Sequence, residues 1–146
     1  ARRQGGHVVN LASMYGYWIS PGVSGYLASK FGVLGFSESL REDLRATGIQ
    51  VSTVCPGMIY TPLVRNMRIC NAPGQEESMR AAIEKRYARR NYPPERVATA
   101  IVQAIRKEKG LVLVSPESWF MYYLERFCPQ LSRLIARRAA ARIFST

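Results

Sequence analysis

Residues 7–13 read His7-Val8-Val9-Asn10-Leu11-Ala12-Ser13, and residues 51–57 read Val51-Ser52-Thr53-Val54-Cys55-Pro56-Gly57. Each is a short apolar run, and each predicts a buried strand, the second spanning 49–55. Between them the chain predicts a loop over 14–23, with Gly16, Pro21 and Gly22, and then one long helix from Ser24 to Ala46. Gly48 stands as the stop signal of that helix. Strand, helix, strand with a crossover of this length implies a parallel pair and a right-handed connection. Open α/β sheets bind ligands at the carboxyl ends of their strands, so Ser13 and the Pro56-Gly57 turn are expected side by side.

The predicted helix carries Tyr26 and Lys30, four residues apart and hence on one face. A free phenol has a pKa near ~10 and is a poor base at neutral pH. A neighbouring ammonium favours the phenolate, and a phenol so tuned can take or give a proton. Ser13 arrives from a different element, where its hydroxyl could orient a substrate oxygen. Each residue also has an ordinary use: Lys30 as a surface charge, Tyr26 as a packed aromatic, Ser13 as a cap, Pro56-Gly57 as a plain turn. Their joint occurrence, in this order and spacing, is what singles them out.

This order resembles the carboxyl-terminal half of the short-chain dehydrogenase/reductase family, most closely over residues 5 to 63. The resemblance implies an α/β fold: the carboxyl-terminal portion of a Rossmann-like, doubly wound parallel sheet, about three strands with crossover helices and a helical tail. It also implies an NAD- or NADP-dependent oxidoreductase interconverting an alcohol and a ketone. In that family Ser13, Tyr26 and Lys30 would be catalytic: Tyr26 as acid/base, Lys30 binding the cofactor ribose and lowering the tyrosine pKa, Ser13 polarising the substrate oxygen. Tyr26, Lys30, Pro56, Gly57 and Thr61 would bind the cofactor. Ser13 and Tyr26 would contact substrate. Tyr15 and Tyr17 flank the same loop and are both ambiguous between lining and covering the pocket, with Tyr15 favoured as the pocket residue. Asn10 matches a common residue of the family and reads as structural.

The glycine-rich turn that presents amides to a dinucleotide pyrophosphate has no match. The expectation is a portion of a longer enzyme or a truncated product. The alternative is an inactive fragment acting as a basic membrane- or protein-interaction module. The layout expected is one partial domain over 1–146, with a catalytic core at 1–63, a substrate loop and helix at 64–92, a helix and last strand at 93–116, and an amphipathic basic tail at 117–146.

Composition sets further bounds. At 146 residues and 47% hydrophobic, the chain can build one core. Three dispersed cysteines and one histidine suggest neither a disulfide framework nor a metal site, so no metal is expected. A reducing, intracellular and cytoplasmic setting fits, with peripheral membrane association open. The net charge of +11 is compatible with anionic partners, but no nucleic-acid motif accompanies it and nucleic acid is not expected.

Beyond the core, residues 58–75, including Met58, Tyr60, Asn71 and Pro73, read as a substrate loop with a short helix near 62–69. Residues 76–90 predict a basic helix with a solvated arginine face. Pro93-Pro94-Glu95 signals a helix to about Lys107, and Leu111–Val114 a last strand. The tail interleaves aromatics such as Trp119, Tyr123 and Phe127 with arginines. It could lie in a membrane interface, cover the pocket or meet a second subunit, and lipid contact would imply a hydrophobic substrate. Ala28, Gly32 and Gly35 form a small-residue face on the helix 24–46, which implies a close neighbour: the sheet, or a twin helix in a homo-oligomer. Arg41, Glu42, Asp43 and Arg45 read as a solvated face.

Overall fold

A computed structural model describes residues 5–69 and 74–144. Cys70, Asn71 and Pro73 of the expected substrate loop lie outside the described residues, as do the side chains of Arg142, Ile143 and Phe144. Three parallel strands, β1 (Gly6–Leu11), β2 (Ile49–Cys55) and β3 (Leu111–Leu113), lie in the order β1-β2-β3. Val8 is opposite Val51, and Val54 opposite Val112. The predicted strands are present. β2 has the expected bounds, whereas β1 and β3 end early: Ala12, Ser13 and Val114 fall outside them, though the Ala12 and Val114 amides still donate to β2 carbonyls.

Helix α1 (Ser24–Asp43) connects β1 to β2. It does not reach Ala46 as expected. Arg45–Thr47 instead form a separate 3-10 turn, and Gly48 follows at φ 75°, a left-handed conformation that glycine tolerates. After β2 come α2 (Pro62–Arg65), shorter than the expected 62–69, then α3 (Glu76–Arg90) and α4 (Pro94–Arg106). Proline at the first turn of α2 and α4 has no amide to leave unsatisfied there. The tail is two helices, α5 (Pro116–Phe127) and α6 (Pro129–Phe144), because Pro129 cannot continue the first.

Successive residues of β2 face opposite layers. Val54 packs with Val97 and Ala104 of α4, and Cys55 with Ala12, Leu113 and, from α1, Val33 and Leu34. The sheet is thus covered on both faces, the doubly wound arrangement expected. The strands advance in one direction while α1 and α4 lie on opposite faces. The two crossovers therefore have opposite hand, and one of them departs from the usual right-handed rule.

Arg41 is not part of a solvated face. Its guanidinium donates to the carbonyls of Val51 (3.0 Å) and Gly110 (2.8 Å), tying α1 to the start of β3. The small-residue face is not packed on the sheet either: a methyl group added at Gly32 or Gly35 would meet nothing within 4 Å.

Candidate active site

Ser13 follows β1 directly, and the backbone there runs beside the end of β2. Ala12 donates to Val54 (2.8 Å) and Met14 to Pro56 (2.8 Å), so Ser13 and the Pro56-Gly57 turn are neighbours. Ser13 is 7% exposed and caps the 3-10 turn Met14–Gly16, its Oγ accepting from the Tyr15 amide (3.2 Å). Accepting uses a lone pair, so the hydroxyl proton remains available to donate.

Helix α1 is held to β1 at two points. Asn10 Nδ2 donates to Ser37 Oγ (2.9 Å), and Ser37, fully buried, donates to Val33 O (2.6 Å). One turn and more toward the amino end, Lys30 Nζ donates to the Leu11 carbonyl (3.1 Å) and lies 5.6 Å from the centre of the Tyr26 ring. Gly16 allows the Ser13 turn to approach this helix, since a Cβ there would stand 2.9 Å from the Lys30 carbonyl oxygen. These contacts bring Tyr26 and Lys30 to the carboxyl end of the strand that delivers Ser13.

The two ambiguous tyrosines separate. Tyr15 sets its ring edge-on to Tyr26 at 5.9 Å and stacks on Trp18 at 5.5 Å. Tyr17 turns away: its hydroxyl meets Ser118 O (2.8 Å) and Ser118 Oγ (2.6 Å), and Ser118 donates to Cys55 O (2.7 Å). Tyr17 thus anchors α5 over the sheet. Burial pushes the Tyr15 phenol up despite the Arg86 charge, and pushes Tyr17 and Tyr87 further up, which keeps all three protonated at neutral pH. Burial likewise pushes the Cys55 thiol up to about 12. Tyr26 is 38% exposed.

Gly57 has no room for a side chain, because a Cβ would overlap Ser115 and Glu117 at the start of α5. Glu117 Oε1 accepts from the Met58 amide (3.0 Å), and Oε2 from Arg90 (3.0 Å). Burial works to raise its carboxyl, but the bonds from its own amide, Arg90 and Met58 outweigh that and hold it below the usual carboxylate range. Thr61 begins α2 with its hydroxyl capping nothing. The residues missed in the sequence are Ser37, Arg41, Glu117 and Ser118, whose tertiary partners lie 10 to 101 positions away and leave no local pattern.

Residues 1–71, about half of the chain, match the family model described as short chain dehydrogenase. The chain belongs to the short-chain dehydrogenase/reductase family. Within that family it is similar to EphD of Mycobacterium tuberculosis, named a probable oxidoreductase, with 40% identity over 140 residues. That match takes in 93% of this chain and 24% of EphD, so the chain spans about a quarter of this relative's length. It is 39% identical over 75 residues to 1-deoxy-11-beta-hydroxypentalenate dehydrogenase of Streptomyces exfoliatus, covering 51% of this chain and 27% of that protein. A short chain dehydrogenase/reductase from Burkholderia phymatum, solved in complex with NAD, shares the fold with a TM-score of 0.71 at 24% identity. That likeness covers 86% of this chain and 48% of the other.

Proposed function

We propose that this chain carries the proton-handling part of an NAD- or NADP-dependent oxidoreductase that interconverts an alcohol and a ketone on a hydrophobic substrate. The observation that carries this reading is the docking of Lys30 on the Leu11 carbonyl, which sets the ammonium beside Tyr26 at the strand end bearing Ser13. The names of the relatives, oxidoreductase and dehydrogenase, and the NAD in the Burkholderia structure support it. The residues present fit a nicotinamide cofactor: Lys30 and Tyr26 for the ribose, Pro56 and Gly57 beside the ring, and Thr61 with a hydroxyl uncommitted to capping. The cofactor, when bound, supplies hydride transfer. Tyr26 gives or takes the proton at its phenolic oxygen, Lys30 supplies positive charge on the same face, and Ser13 donates to the substrate oxygen and fixes its position. Tyr15 lines the substrate side.

Replacing Tyr26 with Phe removes one hydroxyl and is expected to lower turnover at least ~100-fold, measured by nicotinamide absorbance with a panel of alcohols and ketones. Near-normal turnover would overturn the mechanism.

A second reading concerns the tail. Met14, Trp18 and Ala136 pack together, so α6 covers the Ser13 loop with its small side. The outer side of α5 displays Trp119, Tyr123 and Phe127 as a stacked ladder, with Phe127 73% exposed. An exposed aromatic ladder on α5, in a tail whose next helix carries Arg133, Arg137 and Arg138, suits peripheral contact with an anionic membrane. No helix among the described residues is long and apolar enough to cross one. Replacing Trp119 and Phe127 with Ser is expected to abolish co-sedimentation with anionic vesicles, and unchanged co-sedimentation would remove this reading.

A further inference from the structure

An open cleft of about 400 Å³ lies beside the candidate site, lined by Met58, Arg86, Arg89, Arg90 and Glu117. Its volume is in the range of small-ligand sites. Met58 forms one wall immediately after Gly57. Arg86, Arg89 and Arg90 form the other, since positions three and four apart on α3 share a face.

The charges in the cleft do not cancel. Glu117 and Arg90 pair at 3.0 Å, and Arg90 also lies over the Tyr92 ring at 5.0 Å, so that guanidinium is committed. Arg86 and Arg89 have no carboxylate within ion-pair distance among the described residues. Two uncompensated guanidiniums therefore overlook the turn at the end of β2. A guanidinium matches the planar fork of a carboxylate or the oxygens of a phosphate, and binds either through paired hydrogen bonds. The cleft is also within electrostatic reach of the candidate catalytic phenol's surroundings. The Arg86 charge acts on both Tyr15 and Tyr87, and Tyr26 acts on both as well.

We propose that this cleft is a subsite for an anionic group, a carboxylate or a phosphate, carried by the substrate whose alcohol or ketone reacts at Tyr26. This rests on the function proposed above and deepens it: the substrate is amphipathic, with its charged end held by Arg86 and Arg89. Arg90 and Glu117 shape the cleft and keep the Met58 backbone in place.

Titration calorimetry on the full chain, with octanoate, octyl phosphate and methyl octanoate as probes, tests the subsite without any need for turnover. At least one anion is expected to bind ~10-fold or more tightly than the neutral ester, with affinity falling as salt rises. The Arg86→Ala/Arg89→Ala variant, its fold checked by circular dichroism, is expected to lose that preference. Arg137→Ala/Arg138→Ala, on α6, is expected to retain it. Preference for octanoate or for octyl phosphate identifies the anion, and either supports the subsite. Equal binding of the ester, no binding of either anion, retention in the α3 variant, or an equal loss in the α6 variant each overturns it. An enzyme that binds octanoate in this way but turns over no alcohol or ketone would overturn the proposed function and leave the subsite standing.

Discussion

Gly16 shows how far a single residue controls the candidate site. It sits where the Ser13 turn presses on α1, and an added methyl group would come within 2.9 Å of the Lys30 carbonyl oxygen, a backbone atom that cannot swing aside. Gly16→Ala is expected to destabilise the protein by about 1–3 kcal/mol through this overpacking, read as a lower thermal midpoint. It should also depress activity more than its stability loss explains, because the displaced backbone is that of Lys30. Glu117 makes a different prediction, one of pH. Its carboxyl is held low in the folded state, so its contribution is present above the ordinary glutamate pKa of ~4.3 and is lost as pH falls through the folded value. Glu117→Gln is expected to cost about 1–2 kcal/mol at pH 7, allowing for partial exposure. Denaturation at a series of pH values should show the gap between variant and parent closing as pH falls below ~4.

At the scale of elements, the sequence was readable wherever a signal was local. Runs of valine foretold β1 and β2, Gly48 foretold the end of the first crossover, and Pro93-Pro94-Glu95 foretold α4. Tyr26 and Lys30 were legible because both lie on one helix at a spacing that must share a face. What escaped was set by distant partners. Arg41 sits among charged residues and reads as solvated, yet Gly110, nearly 70 positions on, supplies its acceptor. Glu117 stands inside an aromatic tail, and only folding delivers it to the Met58 amide. The right-handed rule treats both crossovers alike, and no local pattern announces that α4 lies on the opposite face of the sheet from α1.

For the molecule as a whole, the exposed face of α1 bears on assembly. The face of α1 bearing Ala28, Gly32 and Gly35 has free space around it, and Phe36 on the same side is 60% exposed. We propose that a second copy of the helix packs there in a homo-oligomer. Gly32→Arg fills only open space within one chain, so the fold should survive while sedimentation velocity reports a smaller species. An unchanged sedimentation coefficient would remove this interface. The parallel strands also differ in how soon each can find its neighbour. β1 and β2 meet across a single helix, whereas β3 must wait for α2, α3 and α4 to be spanned before Val112 reaches Val54. Closing the longer loop costs more chain entropy. The half of the sheet that holds the phenol and the ammonium can thus nucleate first, with the last strand zipping onto an already formed template.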